Sequence, residues 1–344
     1  MVPRAAHAAG GRRLKPQRTA RRRTAAWCAS AALAAAAVLS ALLPLPVAAG
    51  LAYCNPGGQL GADDKDRLLR FAAVVKGELE RSGARLALIA RSGLDLRRIA
   101  VRYSHAGVTL RASPETPWAV RQLYYACDAG LPRLFDQGMS AFLMGTDDAR
   151  VGYISLVFLP APQAAALERA VLDDARALAL VAAEYSANAY PFSLRYQNCN
   201  QWLAELLASA WGEPDGADGK DGADGKDGAD GTDDAVGSAR RAAQQWLRGR
   251  GYEPSRLDVG WWLMRAAAFV PWLHRDDHPA EDLERNVFRV SLPADLEAFA
   301  RAQAPGATRV ELCHAEGRVV LRRGWTSIAE GCRPGAGDEV IPLP

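Results

Sequence analysis

The stretch RYQNCNQW puts Cys199 between two asparagines, directly ahead of a run in which Trp202, Leu203, Leu206, Leu207 and Ala210 fall on one helical face. The first turn of a helix favours thiolate chemistry, because unpaired backbone N–H groups and the helix dipole stabilise an anion there. Asn198 is a good N-cap, and the N–H groups around Cys199 suit the oxyanion of an acyl-transfer intermediate. Gln197 and Asn200 are expected as neighbouring amide donors. A thiol nucleophile also needs an imidazole, and beyond residue 52 the chain offers His105, His274, His278 and His314. His105 lies in IAVRYSHAGVTLR, where Val101, Tyr103 and His105 alternate with polar residues as in a strand. Tyr103 is expected to support the imidazole, and Gly107 leaves room for a helix or substrate beside it. His105 is therefore the expected base for Cys199. His274 and His278, in HRDDHP, lack an evident third ligand and read as a loop, so neither a metal nor another cofactor is expected. His314 is expected at the surface.

Compartment decides how the other cysteines are read. Residues 1–24 carry eight basic residues and no acid, an Ala/Leu-rich run follows from Ala25 to Leu43, and small residues close the segment. This order is that of a bacterial export signal over residues 1–52, cleaved or retained as an N-terminal anchor. The expected location is periplasmic or secreted. Without that segment the chain has 34 basic and 39 acidic residues, a net charge of −5. Nucleic-acid binding then has no electrostatic support. Of the six cysteines, Cys28 leaves with the signal. Cys313 and Cys332 flank VVLRRGW, a hairpin pattern, and are expected to pair. Cys54 then pairs with Cys127, and Cys199 is the odd thiol.

The elements that must position these residues are legible as blocks. Asp63–Arg81 is expected as an amphipathic helix, Arg85–Ala90 as a strand, Ile99–Arg111 as a second, WAVRQLYYAC as a third and Tyr153–Leu159 as a fourth. A helix from Gln163 to about Ala183 precedes the loop that leads to Cys199. Segregated strands and helices favour α+β. Residues 53–214 are expected as the core, and 215–237 as a flexible Asp-Gly-x insertion, which lacks proline for a triple helix and the spacing of a calcium loop. Residues 238–344 complete the same domain. Within them, the aromatic segment Trp261–Trp272 reads as core, as the lining of a pocket or as a stretch in contact with lipid.

A strand carrying SHAG, a second strand (WAVRQL) and a later Asn-Cys opening a helix resemble the circularly permuted papain-like proteins, namely the NlpC/P60-related and lecithin retinol acyltransferase-like families. The resemblance implies an antiparallel sheet packed on helices, followed by a C-terminal α/β extension. It implies Cys199 as nucleophile, His105 as base and Gln122 as the residue orienting His105. Gln122 stands where those acyltransferases commonly carry a second histidine. Over a longer span, LALIARSG, YSHAG, LFDQG, NAYPFSLRYQNCNQW and DDHP resemble an uncharacterised family of secreted bacterial proteins, domain of unknown function 2145, which brings no activity. The expected function is thus a thiol hydrolase or acyltransferase acting on a cell-envelope amide or ester, either a peptidoglycan peptide or a lipid acyl group. The alternative is a non-catalytic scaffold binding an envelope ligand or partner, with Cys199 inert or bridged to Cys127 or Cys54. Membrane contact is expected only through an uncleaved signal.

Overall fold

Residues 60–212 and 231–343 are described by a computed structural model. The export segment, Cys54 and the repeat up to residue 230 lie outside the described residues. Helix α1 (Ala62–Arg81) places acids in its first turn and Arg81 in its last, complementing the helix dipole. It buries Leu68, Phe71, Ala72, Val75 and Leu79, the face its spacing requires. Strands β1 (Leu86–Arg91), β2 (His105–Leu110), β3 (Ala119–Ala126), β4 (Leu131–Gln137) and β5 (Gly152–Phe158) follow, with a short helix α2 (Met139–Leu143) between the last two. Helices α3 (Ala161–Leu172), α4 (Asp174–Leu178) and α5 (Cys199–Gly212) come next, then α6 (Gly231–Gly249). The C-terminal part contributes β8 (Ser255–Asp258), α7 (Gly260–Ala266), α8 (Ala280–Glu284), β9 (Val287–Val290), α9 (Pro293–Gln303), β10 (Thr308–Ala315), β11 (Arg318–Arg323) and β12 (Glu339–Pro342). Two short strands, β6 (Glu184–Tyr185) and β7 (Tyr196–Gln197), pair with each other before α5.

The class is α+β, built on one antiparallel sheet of eight strands in the order β12-β11-β10-β5-β1-β2-β3-β4. Both faces of this sheet are covered, so its central strands are apolar throughout rather than alternating. In β1, Leu86, Leu88 and Ala90 pack with Leu167, Val171, Trp202, Leu203 and Leu206 on the side of α3 and α5. Ala87 and Ile89 pack with Phe71, Val75, Met139 and Phe142 on the side of α1 and α2. Period-two alternation sends successive residues to two different cores.

Several sequence expectations are corrected in detail. The strand expected from Ile99 begins only at His105, because Arg97–Ile99 form a 3-10 turn and Ala100 turns the chain at φ +55°. The helix expected over 163–183 breaks at Asp173, whose side chain accepts from the Arg176 N–H and starts α4 afresh. The helix α6 begins at Gly231, inside the expected insertion: the glycine repeat ends there and the chain beyond it is free to take a helical period. The hairpin expected in a C-terminal extension is β10–β11, which joins the main sheet through pairing of β10 with β5. Edge strand β4 was not foreseen; its burial alternates, but the exposed positions include the apolar Leu131 and Phe135, so residue type does not follow that alternation, and Pro132 and Arg133 suit an edge. His314 is buried, not on the surface. Its ring packs at a tilt of 46° against Phe71, 4.6 Å between ring centroids. A side chain at Gly152 would come within 2.7 Å of its Nε2.

Candidate functional site

Helix α5 begins where the sequence places it. The Asn198 side chain accepts from the Gln201 backbone N–H at 2.8 Å, which is N-capping geometry. Cys199 is a free, buried thiol, so it is not bridged to another cysteine. Its sulfur meets β2 where the β2–β3 ladder ends. The β2–β3 ladder covers only Val108–Leu110 with Ala119–Arg121, although β2 starts at His105 and β3 continues to Ala126. Before Val108 no β2–β3 ladder pair is formed, and the Ala106 N–H donates to Cys199 Sγ. Gly107 is needed at this seam: a Cβ there would lie 2.7 Å from the Arg121 carbonyl oxygen and 2.8 Å from Val120 Cγ1.

His105 reaches the same seam from the other side. Cys199 packs with Ala106, Val108 and Leu123 on the α5 face. The His105 ring lies 5.8 Å from Tyr124 and 6.0 Å from Phe142, and Phe142 belongs to the core under α1 and α2. Thiol and imidazole line one pocket, and among the described residues no hydrogen bond joins them in this resting arrangement. Gln122, on the neighbouring strand, does engage His105. Its amide nitrogen donates to Gln137 Oε1 at 2.6 Å, which turns its oxygen toward His105 Nε2. That oxygen accepts the Nε2–H, so the neutral ring keeps its lone pair on Nδ1.

Electrostatics here run against the sequence expectation of an acidified thiol. Burial pushes the Cys199 pKa up to about 11, against the opposing pull of the Ala106 N–H and the Arg91 cation. Burial, and then the Arg91 charge, lower the His105 pKa to about 3, with the Gln122 bond opposing. The resting pair is therefore a neutral thiol and a neutral imidazole. Arg91 ends β1 opposite His105, bonds the Gly145 carbonyl and lies over the Phe142 ring at 5.1 Å.

The pocket has a volume of about 510 Å³, within the roughly 300–1,000 Å³ common for small-molecule sites. Its polar end holds Cys199, His105, Asn198, Asn200, Tyr124 and Arg91. The rest is mainly apolar, with Leu94, Leu96 and Ile99 from the loop before β2 and Leu257, Leu263, Val270 and Phe288 from the β8–β9 region, and the charged Asp95, Arg98 and Asp147 also line it. Arg91, Tyr124 and the 94–99 loop escaped sequence reasoning. The one available signal was a charged residue closing the otherwise apolar strand LALIAR. The segment after α7 is fastened over the pocket by the HRDDHP loop. The Asn188 amide donates to the His274 carbonyl at 2.7 Å, His278 Nε2–H donates to the Asn188 carbonyl at 2.7 Å, and His274 stacks on Tyr196 at 4.2 Å.

Other expected supporting residues are engaged elsewhere. Gln197 donates to the Leu180 carbonyl at 2.8 Å and to Glu205 at 2.6 Å. Asn200 donates to the Ser291 carbonyl at 3.0 Å and offers the thiol its carbonyl oxygen, 3.6 Å from Sγ, so its amide donors face away from the sulfur. The Tyr103 hydroxyl donates to Glu311 and accepts from Arg309 at 3.3 Å. Cys313 and Cys332 form a disulfide. Cys127 is also disulfide-bonded, and its expected partner Cys54 lies outside the described residues.

Fold and site together define an α+β protein with a buried thiol at the polar end of an apolar pocket. The chain belongs to the family described as "Uncharacterized protein conserved in bacteria (DUF2145)", which matches residues 78–300. No curated protein and no solved structure matches it.

Proposed function

We propose that the protein is an exported thiol acyl hydrolase or acyltransferase of permuted papain-like organisation, with Cys199 as nucleophile and His105 as base. One observation carries this reading: Cys199 lines a pocket of about 510 Å³ together with His105, and most of the other residues lining that pocket are apolar. Such walls suit an acyl chain better than a peptidoglycan peptide. As Sγ bonds to the acyl carbonyl carbon, its proton passes to His105 Nδ1, whose lone pair the Gln122–Gln137 pair leaves free by accepting the Nε2–H. The α5 N-terminus faces the developing oxyanion. The imidazolium then protonates the leaving oxygen as its bond to carbon breaks. Water or a second alcohol or amine releases the acyl group from sulfur. A neutral resting pair requires the proton to move during attack rather than before it. The basic, then Ala/Leu-rich N-terminus supports delivery to the periplasm or beyond.

The second reading, an acyl-binding protein without chemistry, is favoured by the unbonded and oppositely shifted Cys199 and His105. Hydrolysis of nitrophenyl esters of increasing chain length separates the two. The enzyme reading expects kcat/KM to rise with chain length, and Cys199→Ser and His105→Ala each to lower kcat by about 10²-fold or more. Binding of long-chain esters with no turnover above either variant overturns it.

A further inference from the structure

The segment over the pocket has an outer face that the pocket does not use. Trp261 is 67% exposed, Trp262 56% and Phe269 76%. Trp261, Arg265 and Phe269 follow at four-residue spacing, so they share a stripe of α7 and the turn after it, and Arg265 is exposed as well. The opposite side of the same segment, Leu263, Ala267 and Val270, lines the pocket. Across the mouth, Leu94 is 36% exposed beside the exposed Arg98, and both also line the pocket.

We propose that this stripe docks the pocket mouth on a lipid bilayer bearing anionic headgroups. The inference rests on the acyl-pocket reading and names where its substrate is drawn from. Tryptophan suits the headgroup region, because its ring is apolar and its N–H remains hydrogen-bonded there. Arg265, between two aromatics, buries its stem while its guanidinium meets phosphate, and Arg98 does the same from the facing lip. A second copy of the chain is the competing occupant. A two-fold contact through this stripe would bring arginines of like charge together, whereas a phosphate surface complements them. An apolar pocket opening between these lips then faces the phase in which acyl chains are dissolved.

The test uses the full chain and vesicles of phosphatidylethanolamine and phosphatidylglycerol with brominated acyl chains, which quench tryptophans that enter the bilayer. Wild type is compared with Trp261→Ala/Trp262→Ala/Phe269→Ala; any contribution of Trp27 in the N-terminal segment is common to both. The expected result is loss of the quenched fraction belonging to this segment and vesicle affinity at least about tenfold weaker. Arg98→Ala/Arg265→Ala weakens docking at low salt only. Near-UV circular dichroism checks the fold, and Phe269→Asp alone serves if the triple variant does not fold. Equal quenching in wild type and variant overturns the proposal, as does a variant that changes only from dimer to monomer in sedimentation. Cys199→Ser docks like wild type, so intact docking without turnover counts against the enzyme reading alone. Turnover of soluble esters without docking counts against this proposal alone.

Discussion

Cys199 and His105 owe their neutral forms to burial, and the same physics makes His314 a measurable contributor to acid sensitivity. Burial, then the nearby Arg67 charge, lower the His314 pKa to about 4 against an ordinary 6.5, and neither ring nitrogen has a hydrogen-bond partner among the described residues. The folded state keeps this ring neutral while the unfolded chain protonates it below pH 6.5. Stability is therefore fully present above 6.5 and falls as pH drops from 6.5 toward 4, by up to about 1.4 kcal/mol per pH unit from this one group. His314→Phe, next to Phe71, is expected to flatten the acid limb of denaturant-measured stability by about that slope between pH 6 and 4. An unchanged slope would mean that the ring is already charged or hydrated in the folded state.

At the scale of elements, α5 is held by a buried ion pair that also ties α6 to the loop before Cys199. Glu205 and Arg240 are both buried and 2.9 Å apart. Gln197, Gln201 and Gln244 donate to the same carboxylate, and Arg240 donates to the Leu194 and Tyr196 carbonyls. Glu205→Ala strands a buried guanidinium and is expected to cost about 3–5 kcal/mol in urea unfolding. Glu205→Ala/Arg240→Met should recover part of that loss, and a cost below about 1 kcal/mol for the single change would show water replacing the carboxylate. Much of this layer was legible beforehand. Helical spacing after Cys199 and the apolar run LALIAR each located an element closely, whereas the alternation before His105 started its strand at Ile99 instead of His105. Gln122 was placed beside His105 by resemblance alone. The seam between β2 and β3 was not legible, because unpaired backbone leaves no mark on side-chain periodicity. The roles of Gln197, Asn200 and Tyr103 were missed for a related reason: an amide or hydroxyl near a site in sequence has several partners available, and only the fold selects among Leu180, Ser291 and Glu311.

In the whole molecule, one sheet carries two cores, and the pocket reaches His105 and Cys199 beside the end of the β2–β3 ladder. The α5 face delivers the thiol, the α1–α2 face delivers the imidazole, and the β8–β9 region with its fastened segment closes an apolar chamber above them. On the proposed reading, burial serves the thiol because a filled chamber excludes water while the proton passes from Cys199 to His105. The central claim is that Cys199 accepts an acyl group there. Intact-mass spectrometry of the protein incubated with a medium-chain acyl thioester tests it most directly. The account predicts one added acyl mass located on Cys199, absent in Cys199→Ser and slowed by about 10²-fold in His105→Ala. An occupied pocket with no acyl adduct on Cys199, or an adduct that forms equally fast without His105, would contradict it.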